Sequence, residues 1–230
     1  MSYIIPEWQV SRRVRALVTT RSLGNLALHV GDSDQVRANR RRLVREAALP
    51  RMPVWMQQVH GIEVWTGAAS DDPPVADAAY TTTPDLPLVV MVADCLPVFI
   101  ASADGDEVGV AHAGWRGLAG GVLAALAGSF TSSELVAWLG PAIGPCHYEV
   151  DEVVREQFPG DTGFLPGRDS AHWMMDLYAI ARRQLADLGV SSVEGGGFCT
   201  WCDDRMYSHR RDGDVNAGRI AAVVWRTSTE

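Results

Sequence analysis

Three residues with side chains suited to metal binding or nucleophilic attack stand at the ends of expected buried strands. They are His60, Cys95 and His112. Their separations are 35 and 17 residues (95 − 60 and 112 − 95). Those gaps are too long for a zinc finger. They fit a catalytic site built from different strand ends, with three protein ligands and an open fourth position. A thiolate and two neutral imidazoles would leave Zn²⁺ with a net charge near +1, which activates water near neutral pH. Two other readings use the same residues. Cys95 and His112 make a thiol nucleophile with its base, or the cysteine packs as a small hydrophobe beside two hydrogen-bonded histidines. Spacing alone leaves all three open.

Further candidates surround them. Asp94 precedes Cys95, as the outer partner of a ligand histidine, a general acid/base or a turn residue. The run His112-Ala-Gly-Trp-Arg-Gly117 leads into a helix, so Arg116 and free N–H groups offer an anion site there; tight packing at the glycines explains it as well. Arg210 and Arg211 make a second anion or ribose site, or a solvated loop. Cys199 and Cys202 form a CxxC without a second such pair or a βαβ context, and read as structural, with Cys95 and Cys146 isolated. Cys146-His147, in a Gly/Pro turn, is the weaker metal candidate. His29, His172 and His209 have no clear second ligand near them in the sequence, and the arginines at 40–42 read as a solvated helix face.

The elements that must position these residues follow from periodicity and breakers. Strands are expected over 14–19, 26–30, 54–59, 62–65, 88–93, 97–101, 108–111, 135–139, 194–200 and 219–225, with His60-Gly61 near a hairpin turn. Helices are expected from Asp32, a cap paired with Gln35, to about 48, then over 118–130, 150–158 and 175–188. Loops fall at 70–74, 160–170 and 201–214, and 77–83 is irregular. The apolar runs over 88–93 and 97–101 lack alternation, so those strands are covered on both faces. Hairpin-length connections predict mixed sheets. The expectation is a single-domain α/β layered sandwich, with mixed β-sheets between helices, over residues 1–230.

Composition narrows the function. The chain has 230 residues, a net charge of −8 and a pI near 5.2, which argues against a nucleic-acid partner. It has no apolar run of signal-peptide or membrane-span length, so a cytoplasmic protein is expected. Four cysteines argue against a disulfide scaffold.

Several stretches together resemble the YfiH family, also known as laccase-like polyphenol oxidases. They are Asn25-Leu-Ala-Leu-His-Val-Gly-Asp32, Gln57-Gln-Val-His-Gly61, Ala93-Asp-Cys-Leu-Pro-Val98 and Ala111-His-Ala-Gly-Trp-Arg-Gly117. They continue in Gly140-Pro-Ala-Ile-Gly-Pro-Cys146, Tyr148-Glu-Val150, Cys199-Thr200 and Ser208-His-Arg-Arg-Asp-Gly213. The resemblance implies a layered α/β fold and a mononuclear zinc site at His60, Cys95 and His112, with copper as the alternative. It implies phosphorolysis of adenosine, inosine, guanosine and methylthioadenosine, with adenosine deamination as a second activity. The partners are then a purine nucleoside and phosphate, in a monomer or weak dimer. Asn25, His29, Gln58, Arg210 and Arg211 become candidate substrate-binding residues, beside Asp94, Cys95, His112 and Arg116 as candidate catalytic ones. The family's alternatives are a cysteine hydrolase acting on a peptidoglycan precursor and a copper-dependent phenol oxidase.

Overall fold

Strands that are apolar on both faces must be covered twice, and this requirement shapes the molecule. A computed structural model of the chain describes residues 2–67, 73–216 and 218–228. In it, Leu88–Val92, Leu96–Ser102 and Val108–Ala113 are buried at every position. Two sheets provide the cover. The first runs in the order Tyr3–Ile4, Val14–Thr19, Ile220–Arg226, Leu88–Val92 and is antiparallel throughout. The second runs Ser192–Gly195, Leu135–Leu139, Leu96–Ser102, Val108–Ala113, Ala78–Thr81, Val64–Trp65. Its outermost pairs are parallel and its inner pairs antiparallel.

Alternation along the strands sorts the core into layers. Phe99, Ala101, Val110 and Trp138 of the six-stranded sheet meet Val18, Val90, Ala222 and Val224 of the four-stranded one. Val98, Ile100, Ala111 and Leu139 turn the other way, onto helices Trp115–Gly120, Val122–Ala127 and Leu177–Asp187. Leu17, Val89, Met91 and Val223 pack outward on Leu26, Leu43 and Trp55, beneath helix Ser33–Glu46. The order is helix, sheet, sheet, helix, a mixed α/β layered sandwich. Asp32 caps its helix by accepting from the N–H groups of Asp34 and Gln35, and Asp176 caps another through Tyr178 and Ala179.

Short segments depart from expectation where long-range pairing outweighs local pattern. The 26–30 stretch is a turn, tied by the Asn25 amide to backbone groups of Ala27 and Val30. Among the described residues the 54–59 stretch makes only the bridges Val54–Leu88 and Gln57–Val75. No hairpin forms at His60-Gly61, because Val64–Trp65 pairs in parallel with Ala78–Thr81, inside the stretch expected to be irregular. The helix expected at 118–130 begins at Trp115 and breaks at Gly121, whose φ of 91° is easy only for glycine. The helix expected over 150–158 shrinks to Glu152–Arg155. Phe164–Pro166, His172–Met175 and Glu149–Asp151 form a small antiparallel sheet, and helical turns over His209–Asn216, interrupted at Gly213 (φ 73°), occupy part of the expected 201–214 loop. The loop expected at 70–74 lies mostly outside the described residues.

Candidate active site

The two sheets bring His60, Cys95 and His112 to one place. One nitrogen or sulfur atom of each lies within 4.8 Å of the others. His112 sits in Val108–Ala113 opposite Pro97, and Cys95 immediately precedes that neighbouring strand. The His60 and His112 rings meet edge to face, with centroids 4.8 Å apart. Gly114 lets the backbone pass beside them: a Cβ there would stand 2.8 Å from Cys95 Sγ and 3.5 Å from His60 Cδ2.

Asp77 holds this arrangement, and no sequence pattern singles it out. Its carboxylate is fully buried and lies 2.8 Å from His112 Nδ1. It also accepts from the backbone N–H groups of Val59, His60 and Gly61, at 3.0, 2.9 and 2.7 Å. With His112 donating from Nδ1, its Nε2 is free to act as a ligand. The same carboxylate ties down His60 in a left-handed conformation, φ 60°. Burial raises the Asp77 pKa, but His112 and the N–H groups of Gly61 and Val59 outweigh it and hold it below the usual range.

Opposing effects set the other charges. Burial opposes the Cys95 thiolate, yet the charge on His112 and hydrogen bonds from His112 and His60 bring the thiol to about 6. Burial likewise opposes the His112 cation, while the Cys95 thiolate and Asp77 raise it to about 9. A metal binding here would find the thiolate already favoured and would displace the proton that His112 holds on Nε2. The donor set also suits the geometry of a metal ion. Tetrahedral bonds of about 2.0–2.1 Å to nitrogen and 2.3 Å to sulfur put two nitrogens roughly 3.3 Å apart and a nitrogen and a sulfur roughly 3.6 Å apart, within the 4.8 Å observed.

The three side chains line a cavity of about 450 Å³, together with His29, Gln58, Asp94, Arg116 and Arg210. Asp94, with a φ of 85°, is not the outer partner of a ligand histidine; Asp77 takes that part. The Asp94 carboxylate accepts instead from the Thr200 hydroxyl at 2.5 Å and from the Arg210 backbone N–H at 2.7 Å. Arg116 lies over the Trp115 ring, 4.2 Å from its centroid. Arg210 donates to the Glu149 carbonyl and lies over Tyr148. The Gln58 amide pairs with both the N–H and the carbonyl of Met91. Burial, then the charges of Arg219 and Arg40, keep His29 below its ordinary pKa.

Two expected residues stand apart from this lining. Asn25 Oδ1 accepts from Ala27 and Arg219, so its amide braces backbone. Arg211 spends its guanidinium on the carbonyls of Thr200, Trp201 and Met206 and on Asp212, which makes it a loop clamp rather than a phosphate ligand. Arg40 is also no solvated cation: it packs 3.7 Å over Trp55 and donates to the Leu26 carbonyl. Sequence reasoning missed Met56, Tyr148, His209 and Arg219 as lining residues. Their only signal was membership of the matched motifs or closeness to them. Cys146 is not isolated either, since it meets His147, Cys199 and Cys202.

A family model described as multi-copper polyphenol oxidoreductase laccase matches residues 12–227. A protein of Pseudomonas aeruginosa named purine nucleoside phosphorylase is 42% identical, over 97% of this chain and 98% of its own length. The Escherichia coli purine nucleoside phosphorylase YfiH is 40% identical, over 96% of this chain and 98% of its own. Among solved structures, a Neisseria meningitidis protein superposes with a TM-score of 0.92 at 37% identity, covering 99% of this chain and 100% of that one. YlmD from Geobacillus stearothermophilus superposes at 0.90 with 30% identity, covering 99% and 97%.

Proposed function

The chain belongs to the laccase-like YfiH family, and on that premise we propose that it splits purine nucleosides with inorganic phosphate, using a metal held by His60, Cys95 and His112. The observation that carries this reading is one cavity wall that joins a three-ligand donor set to the guanidinium-bearing residues Arg116 and Arg210. Adenosine, inosine, guanosine and methylthioadenosine are the substrates.

Phosphorolysis breaks the bond between ribose C1′ and the purine nitrogen and forms one between C1′ and a phosphate oxygen. The purine leaves with a proton. Arg116 and Arg210 hold the phosphate through charge-assisted hydrogen bonds. Met56, Ile143, Tyr148 and Leu177 offer the apolar and aromatic faces that a purine ring needs. His29, kept neutral by its surroundings, accepts from a ribose hydroxyl. Zinc, in preference to copper, supplies Lewis acidity beside the reacting atoms when bound.

The same cavity serves adenosine deamination, in which water replaces the C6 amine and ammonia leaves. Asp94 relays the proton. Its two bonds, from Thr200 and Arg210, leave carboxylate lone pairs available for it. The test is zinc-loaded protein with adenosine and phosphate, resolved by chromatography. Adenine with ribose 1-phosphate reports phosphorolysis, and inosine reports deamination. The absence of both overturns the reading.

One observation favours a second reading, a metal-free cysteine hydrolase. The lowered Cys95 thiol beside His112 resembles a nucleophile with its base. A chelator separates the two, since it abolishes the metal-dependent activity and spares a thiol hydrolase.

We also take the chain as one folding unit, because Ile220–Arg226 pairs with Val14–Thr19 from the other end. Four free thiols suit the reducing cytoplasm. Among the described residues no helix is long and apolar enough to cross a membrane. The chain acts as a monomer or weak dimer.

A further inference from the structure

We propose that Cys146, His147, Cys199 and Cys202 form a second metal site, structural in kind, that takes zinc. It is independent of the reading of the His60–Cys95–His112 site.

The four ligand atoms already lie close enough together to share one ion. His147 Nδ1 is 3.3 Å from Cys146 Sγ, 3.3 Å from Cys202 Sγ and 3.9 Å from Cys199 Sγ. Cys146 Sγ and Cys202 Sγ are 4.0 Å apart, and all four atoms lie within 4.8 Å of one another. Zinc bonds of about 2.3 Å to sulfur and 2.0–2.1 Å to nitrogen place tetrahedral ligands about 3.8 Å apart for two sulfurs. The separation is about 3.6 Å for sulfur and nitrogen. The observed sulfur–nitrogen separations bracket 3.6 Å, and the Cys146–Cys202 pair, at 4.0 Å, is slightly wider than the ideal.

The backbone is shaped for this cluster. The turn at Cys146-His147 closes through the His147 N–H and the Gly144 carbonyl. The Cys199–Cys202 turn closes through the N–H groups of Cys202 and Asp203 on the Cys199 carbonyl. A Cβ at Gly144 would stand 3.1 Å from Cys199 Cβ and 3.4 Å from the sulfurs of Cys146 and Cys199, so a side chain there would crowd the site. The His147 ring lies flat against Trp201, with centroids 5.0 Å apart and planes 11° apart, which sets the direction of Nδ1. Cys146 and Cys202 are exposed, so an ion has a way in.

The chemistry selects the metal. Three thiols and an imidazole suit a borderline-soft ion and exclude magnesium and calcium. Four protein ligands leave no open position, the mark of a structural site. Each thiol gives its proton to solvent on binding. The ion would join the loop after Leu135–Leu139 to the loop after Ser192–Gly195. The second loop carries Thr200, whose hydroxyl holds Asp94 in the cavity wall. The second site thereby braces the first cavity without touching its contents.

The experiment is elemental analysis of the full chain purified under reducing conditions with zinc present, beside Cys146→Ser, Cys202→Ser and Cys95→Ala. Each of the first two variants should hold one zinc fewer per chain than the parent, whatever the other site holds. Cobalt(II) substitution provides a second readout. Thiolate charge-transfer bands should persist in Cys95→Ala and fade in Cys146→Ser. Should a serine variant fail to fold, the parent protein still answers: limiting zinc should protect Cys146, Cys199 and Cys202 together from alkylation, read by mass spectrometry. Unchanged zinc content in both serine variants, no such protection, or a disulfide among these three cysteines under reducing conditions overturns the proposal.

Discussion

The Asp77 carboxylate and the His112 imidazole face each other at 2.8 Å across 35 residues of sequence, and the same carboxylate collects the N–H groups of the His60 turn. One buried side chain thus positions two of the three candidate ligands. Asp77→Asn keeps the shape but weakens the acceptor on His112. Zinc affinity at this site should fall roughly 10–100-fold. A competition titration against a chromogenic chelator checks it, and unchanged affinity would remove Asp77 from this role.

Gly114→Ala tests the crowding at Cys95. The added methyl would lie 2.8 Å from Sγ, so the thiol or the backbone must shift. We expect a loss of about 1–3 kcal/mol in stability together with weaker metal binding. Denaturant unfolding and metal titration measure the two separately. A variant indistinguishable from the parent in both would show that the wall yields freely.

Arginines 116 and 211 should respond in opposite ways. Arg116→Ala removes a cavity cation, so KM for phosphate should rise on the order of tenfold with the thermal midpoint little changed. Arg211→Met strips bonds from Thr200, Trp201, Met206 and Asp212 and should cost about 2 kcal/mol or more. Steady-state kinetics and calorimetry on both variants settle the division. It fails if Arg211→Met keeps its stability and loses phosphate affinity instead.

Glu107 should shape the acid limb of stability. It is buried and accepts from the Tyr80 and Thr131 hydroxyls and from the N–H groups of Thr131 and Ser132. Burial raises its pKa, but these donors outweigh burial and hold it below the usual range. A depressed carboxyl stabilises the fold above its unfolded pKa, and that stability is lost as pH falls through the folded value. Glu107→Gln should cost about 1–3 kcal/mol at neutral pH. It should also flatten the fall in stability on acidification, measured by urea unfolding across pH. An acid limb parallel to the parent's would exclude this residue.

The apolar runs over 88–93 and 97–101 announced strands covered on both faces, and Asp32 announced its helix, because an unbroken apolar run and an N-cap are local signals. His60, Cys95 and His112 stood out by residue type at the ends of apolar runs. Short elements such as Ala78–Thr81 and His172–Met175 did not, since a few residues cannot display a period and their partners lie far along the chain.

The sequence by itself determined the mixed α/β character, the three candidate ligands and the family motifs, all written in neighbouring residues. Only the tertiary structure decided that Asp77 and not Asp94 orients His112, and that Arg210 faces the cavity while Arg211 ties down a loop. It also gathered Cys146 and His147 with a CxxC more than fifty residues away. The reason is physical. Local backbone preference acts over a turn or two, whereas the direction of a side chain at a strand end is set by which strands pair and how the two sheets pack.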